Sequence, residues 1–128
     1  MVIDPSALVA ILRAEQDADE LNQRLFDTTT RNLSAASYLE LSMVMSSEEA
    51  DGGLDRMDRF LHAAEVDIIA ITEQDALLAR EAFLRFGKGR HPAGLNFGDC
   101  FSYALAKRLR EPLLFKGDDF SLTDITKA

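Results

Sequence analysis

A single α/β domain, with a mostly parallel sheet of four to five strands covered by helices on both faces, is the fold class that this 128-residue chain predicts. Three observations point to it. Short apolar runs of strand length alternate along the chain with longer stretches whose apolar residues recur at helical spacing. The helical stretches carry start and stop signals, and no repeat, low-complexity segment or linker divides residues 1–128. With 47% hydrophobic residues, the chain has the material for one compact core.

Taken in order, Met1 to Ile3 reads as a short buried strand. Asp4-Pro5 then starts a helix through Ala7, Leu8, Ile11 and Leu12, because proline in the first turn gives up an N–H that has no partner there. Leu21, Leu25 and Phe26 mark a second helix, ended by the polar run Thr28-Thr29-Thr30. Arg31 to Leu33 follows as a strand. Ala36, Leu39, Met43 and Val44 share one face of the next helix, which runs into an acidic, glycine-containing loop from Ser46 to Gly53. Leu54, Met57, Leu61 and Ala64 give another helix, and Val66 to Ile71 is the clearest strand. Thr72 with Asp75 makes a capping box for a long helix that stops at Gly87. After a loop from Lys88 to Leu95, Asn96 caps a helix reaching Arg110, whose basic last turn suits the helix dipole. Pro112 ends it, Leu113 to Phe115 forms a last buried strand, and a weak edge strand is expected near Leu122 to Ile125.

The formal charge of −8 argues against unspecific, long-range binding of nucleic acid, although it leaves room for a local contact. Arg85, Lys88, Arg90 and His91 form one basic patch, and Lys107, Arg108, Arg110 and Lys116 a second. A solvated loop and a solvated helix end would look the same. No apolar run of about 18 residues exists, and no basic region precedes an apolar one at the N-terminus, so a cytoplasmic protein without a membrane span is expected. The single cysteine, Cys100, lies among Phe97, Gly98 and Phe101, as a small core residue would.

The chemistry rests on carboxylates. Asp4 ends the first strand, Glu40 sits on the apolar face of its helix, Asp99 opens another helix, and Asp118, with Asp119 beside it, follows the last strand. Each has a capping alternative: Asp4 before Pro5, Asp99 three residues after Asn96, Glu40 three after Ser37. Glu40 resists that alternative, since an unpaired charge on an apolar face is costly and a shared cation would remove the cost. Oxygen ligands without cysteine or a histidine pair favour magnesium or manganese, which activate water and neutralise charge on a phosphoryl group. Phosphodiester hydrolysis is the natural reaction.

Four ordered segments then become familiar. Met-Val-Ile-Asp-Pro-Ser-Ala-Leu at 1–8, Ala-Ser-Tyr-Leu-Glu at 36–40, Leu-Asn-Phe-Gly-Asp-Cys-Phe-Ser-Tyr-Ala at 95–104 and Pro-Leu-Leu-Phe-Lys-Gly-Asp-Asp-Phe at 112–120 resemble the PIN-domain ribonucleases, specifically VapC-type toxins of bacterial toxin-antitoxin pairs. The resemblance runs nearly end to end. It implies a PIN-like three-layer α/β/α sandwich and a magnesium- or manganese-dependent endoribonuclease, dimeric and inhibited by a VapB-type antitoxin. It also implies that Asp4, Glu40 and Asp99 are catalytic and metal-binding, with Ser6 orienting Asp4. For the fourth acid Asp118 is preferred over Asp119 as nearer the strand end, with Asp119 in support. Lys88, Arg90 and Lys116 are expected to hold RNA phosphates, and an antitoxin arginine suits the acidic site.

Two other classes remain at this stage. A phosphatase of the haloacid dehalogenase type would need its second aspartate at position 6, which is Ser6. A catalytically silent module would use the acidic cleft only to bind a basic partner.

Overall fold

The computed structural model describes residues 1–128, apart from the side chain of Glu49. The described residues contain four strands, β1 (Val2–Ile3), β2 (Asn32–Ser34), β3 (Asp67–Ile69) and β4 (Leu113–Leu114), in one sheet ordered β3-β2-β1-β4. Every pairing is parallel. Parallel neighbours require crossovers, which helices supply: α1 (Pro5–Leu12), α2 (Ala18–Phe26), α3 (Ala35–Ser46), α4 (Gly53–Ala63), α5 (Glu73–Phe86) and α6 (Phe97–Leu109).

Successive side chains of the central strands leave opposite faces of the sheet and feed two cores. Ile3 and Leu114 pack with Leu8, Leu25, Leu33, Leu41, Met45, Met57 and Leu61, on the side of α1 to α4. Val2 and Leu113 pack with Ala82, Phe86, Tyr103, Ala104, Phe115 and Phe120, on the side of α5 and α6. The layers are therefore helix, sheet, helix.

From β1 the chain builds outward to β2 and β3, then returns to lay β4 on the other side of β1. The direction of building reverses between β1 and β4. At such a switch point the crossovers diverge and leave a crevice beyond the carboxyl ends of the strands. Asp4 is the first residue after β1, and Phe115 and Lys116 follow β4.

Several expectations shift. The second strand lies one residue later than Arg31 to Leu33. The third is shorter than Val66 to Ile71 because it is the sheet edge, with Ile68 and Ile71 exposed. No strand forms at Leu122 to Ile125: Asp119–Leu122 winds into a 3-10 turn, and the extra edge contact is a single bridge between Leu113 and Lys127. The Ala36, Leu39, Met43, Val44 face of α3 is not its core face. Ser37, Leu41 and Met45 are buried, while Leu39 and Met43 stand exposed.

The capping box at Thr72 forms as predicted and has a second use. Asp75 Oδ2 accepts the Thr72 N–H at 2.9 Å, and Asp75 Oδ1 accepts Arg108 Nε at 2.6 Å, tying α5 to α6. Burial pushes the Asp75 carboxyl up, but the Arg108 and Thr72 donors outweigh it and hold the group below the usual carboxylate range. Lys107 pairs with Asp124 at 2.8 Å, and Lys116 pairs with Glu15 and with Asp17. The second basic cluster is thus largely committed to the fold, and the Lys116 ammonium is already held by two carboxylates.

Replacing Arg108 by Ala leaves Asp75 Oδ1 buried without its donor, which should cost about 2 kcal/mol. Urea denaturation should show a lower midpoint at constant slope, and an unchanged midpoint would mean that the α5–α6 tie contributes nothing.

Candidate active site

Asp4 ends β1 with its N–H donated to the Leu114 carbonyl at 2.9 Å, so the backbone is still stitched to β4 where the side chain turns to cap α1. The carboxylate is buried and held on both oxygens. Oδ2 accepts the Ser6 N–H at 3.0 Å and the Ser6 hydroxyl at 2.5 Å, and Oδ1 accepts the Ser102 hydroxyl at 2.6 Å. The capping expectation for Asp4 is met. Ser6 Oγ in turn accepts the Lys116 N–H at 3.0 Å, which connects the start of α1 to the chain leaving β4.

Asp99 also keeps its capping role. Its Oδ2 accepts the Asn96 N–H at 2.9 Å and Asn96 Oδ1 accepts the Asp99 N–H at 2.9 Å. That box fixes the first turn of α6 and occupies one carboxylate oxygen, leaving the other without a protein donor among the described residues. The capping alternative for Glu40 fails. Ser34 is the N-cap of α3, and Ser37 lies inside the helix, its hydroxyl buried at 3.3 Å from that of Ser102.

Glu40 reaches across from α3 to α6 and lies against Gly98, where a Cβ would collide with the carboxylate. Only glycine permits that approach, and it brings Glu40 beside Asp99.

The carboxylates feel one another. Burial is the main cause pushing Asp4 above its ordinary value; hydrogen bonds from Ser102 and Ser6 oppose it, and the charge of Asp119 adds to it. Burial raises Glu40 as well, helped by Asp4. Asp99 is pushed up to about 6, first by burial and then by Asp4, Asp119 and Glu40, against the hydrogen bond from Asn96. Of the adjacent pair, Asp119 is the residue whose charge reaches Asp4 and Asp99. Asp118 is the N-cap residue of the 3-10 turn that Asp119 opens.

No ion pair among the described residues involves any of these acids. As oriented, no three histidine, cysteine, aspartate or glutamate side chains among the described residues close into a cage for a metal ion. The donor set nevertheless suits one. Carboxylates gathered without a protein cation carry a repulsion that a hard divalent ion removes, and all the donors are oxygens.

Ser102, the donor to Asp4 Oδ1, carries no motif of its own in the sequence. Its signal is spacing, since it lies three residues after Asp99 and so on the same face of α6. Lys88 and Arg90 stand exposed in the loop after α5 with no carboxylate partner among the described residues, Arg90 resting 5.4 Å above the Phe83 ring. Cys100 is buried, and burial pushes its thiol up to about 11, which fits a core residue and not a nucleophile.

The model of the PIN domain matches residues 1–125. The chain belongs to the PIN-domain family. Within it, this PIN domain is 53% identical to ribonuclease VapC of Mycolicibacterium smegmatis over 125 residues, covering 98% of this chain and 97% of that one. It is 50% identical to ribonuclease VapC30 of Mycobacterium tuberculosis over 125 residues, covering 98% and 95%. Among solved structures, the VapC20 toxin of Mycobacterium tuberculosis, described as cleaving the sarcin-ricin loop, superposes with a TM-score of 0.77 at 15% identity over 99% of this chain and 97% of that one. A toxin-antitoxin complex from Klebsiella pneumoniae gives 0.69 at 20% identity, over 94% and 89%. These two likenesses show the fold. The sequence relatives place this PIN domain among the VapC ribonucleases. Among the described residues, no helix is long and apolar enough to cross a membrane.

Two measurements bear on this geometry. A carboxyl with a raised folded value stabilises the protein below its unfolded value of 3.8, and that contribution is lost as pH rises through about 6. Metal-free protein should therefore lose stability to urea between about pH 4 and 6.5, and Asp99→Asn should flatten the decline; stability that rises across this window in the parent would contradict the electrostatics. Asp75 and Asp124, whose values are lowered, act below 3.8 and leave the window clear.

Gly98→Ala should displace Glu40 while improving helix propensity by about 0.8 kcal/mol. Its melting temperature should hold or rise as manganese affinity, measured by calorimetry, falls. Unchanged affinity would show that Glu40 takes no part.

Proposed function

We propose that this PIN domain is a magnesium- or manganese-dependent endoribonuclease toxin that hydrolyses RNA phosphodiester bonds and is restrained by a VapB-type antitoxin. One observation carries the proposal: four carboxylates, Asp4, Glu40, Asp99 and Asp119, converge electrostatically at the switch point with no ion-paired cation among the described residues to balance them. Family membership and the names of the close relatives support the reaction type.

Asp4, Asp99 and Glu40 would hold the cation, with Asp119 completing the set from the segment after β4. Bound there, a divalent ion supplies an activated water and neutralises charge developing on the phosphoryl group. Everything else falls to the chain. Ser6 and Ser102 clamp the Asp4 carboxylate in one orientation, so no reorganisation of that ligand is needed as charge develops. The Asn96–Asp99 box does the same for Asp99. Shared negative charge repels the RNA backbone until the cation neutralises it, and Lys88 and Arg90 are the uncommitted cations proposed to hold phosphates.

The antitoxin assignment draws on the same imbalance, because an arginine inserted from a partner would satisfy the carboxylates in the cation's place. A homodimer is proposed with it, in keeping with the exposed apolar surface of Leu39, Met43 and Phe97.

The test is metal-dependent cleavage of RNA by purified, antitoxin-free protein, with single-acid variants. Asp99→Asn should abolish cleavage, and Asp119→Asn should lower it by about tenfold to a hundredfold. Asp118→Asn should cleave like the parent. Full activity in Asp99→Asn, or a larger loss at 118 than at 119, would overturn the assignment.

A further inference from the structure

Asp119 is exposed, so the segment that carries it decides where its carboxylate stands. That segment is anchored at its two ends, where Phe115 and Phe120 are buried with ring centroids 5.2 Å apart. Between them Lys116 to Asp119 are all exposed, and Gly117 has a φ of 91°, a conformation open to glycine that leaves the backbone free to turn.

One residue ties this span down. The Lys116 ammonium is shared by Glu15 and Asp17, at 3.0 Å from Asp17 Oδ1, and the Lys116 N–H goes to Ser6 Oγ at 3.0 Å. A single exposed ion pair holds little, but an ammonium gripped by two carboxylates is a network. Its far side is firm. Glu15 and Asp17 lie in the turn between α1 and α2, which is closed by bonds of 3.0 Å from the Glu15 N–H to the Ala10 carbonyl and from the Ala18 N–H to the Glu15 carbonyl.

Asp17 is also the N-cap residue of α2, where an aspartate ordinarily accepts a backbone N–H of the first turn. It makes no such bond. Its carboxylate turns instead to Lys116, 99 residues away, so a local stabilisation is given up for a distant contact. A local rule broken without local gain is expected where function needs it.

We propose that Lys116 is a positioning residue for the ribonuclease reaction, held by Glu15 and Asp17 so that Asp119 stands with Asp4, Glu40 and Asp99. The inference rests on the ribonuclease reading and deepens it. Two other roles for Lys116 have opposite signs. If its charge acted only through space, removing it would strengthen the hold of the acids on a cation. If it held an RNA phosphate, freeing it from Glu15 and Asp17 would strengthen RNA binding.

The experiment compares Lys116→Ala, Lys116→Arg and the double variant Glu15→Gln/Asp17→Asn with the parent and with Asp119→Asn. Manganese affinity is measured by calorimetry. Cleavage is followed on total bacterial RNA and then, for kcat and KM, on an oligoribonucleotide spanning a mapped cleavage site. Asparagine caps a helix as well as aspartate does, so the double variant should keep the parent's melting temperature. Lys116→Ala and the double variant should each weaken manganese binding by roughly two- to 30-fold. That loss should be smaller than the loss in Asp119→Asn, with kcat falling alongside and KM staying near the parent's. Lys116→Arg should restore both quantities, and Lys116→Ala added to Asp119→Asn should weaken manganese binding no further.

Manganese affinity in Lys116→Ala equal to or above the parent's overturns the positioning role and leaves the ribonuclease reading intact. So does parent-like manganese binding in Asp119→Asn, and so does a raised KM at unchanged kcat in Lys116→Ala, which would assign Lys116 to an RNA phosphate. A parent that neither binds manganese nor cleaves the total RNA overturns both.

Discussion

Everything at the candidate active site is referred to one buried carboxylate. Asp4 leaves β1 where the sheet changes its direction of growth, and three hydrogen bonds from Ser6 and Ser102 hold it there. Burying a charge without compensation is expensive, so those donors are a condition of the fold as well as of the chemistry. Ser6 comes from the helix that follows β1 and Ser102 from a helix 98 residues away. The pair makes the position of Asp4 depend on α6 docking correctly against the sheet. Ser6 also accepts from the backbone of Lys116, so the chain after β4, which carries Asp119, is indexed to the same carboxylate.

Small residues make the convergence possible. Gly98 lets the Glu40 carboxylate lie against α6, and Ser37 with Ser102 fills the contact between α3 and α6 where larger side chains would hold the helices apart. The acids are brought together by packing that gains nothing from their charge. Burial first, and then the neighbouring charges, push the Glu40 and Asp99 carboxyls upward.

Electrostatic balance elsewhere follows the opposite rule. Arg108, Lys107 and Lys116 each meet carboxylates that belong to the scaffold. Arg80, Lys88 and Arg90 are left without such partners among the described residues. In an acidic chain, the cations that stay uncommitted carry more information than the total charge does.

The sequence by itself determined the alternation of strands and helices, and both capping boxes. These are local signals: a cap needs residues three apart, an apolar run declares a strand, and Asp4 and Asp99 sit at element ends that the pattern marks. Only the tertiary structure decided the rest. Asp118 and Asp119 are neighbours in sequence, and only the folded chain brings the Asp119 charge to bear on Asp4. The apolar face of α3 looked like a core face because periodicity reports that a face is apolar, not what covers it. Lys116 looked free because Glu15 and Asp17 are a hundred residues away along the chain and adjacent only after folding. Ser102 went unnoticed for the same reason: a buried hydroxyl acquires its meaning from the carboxylate it meets, and that meeting is made by the fold.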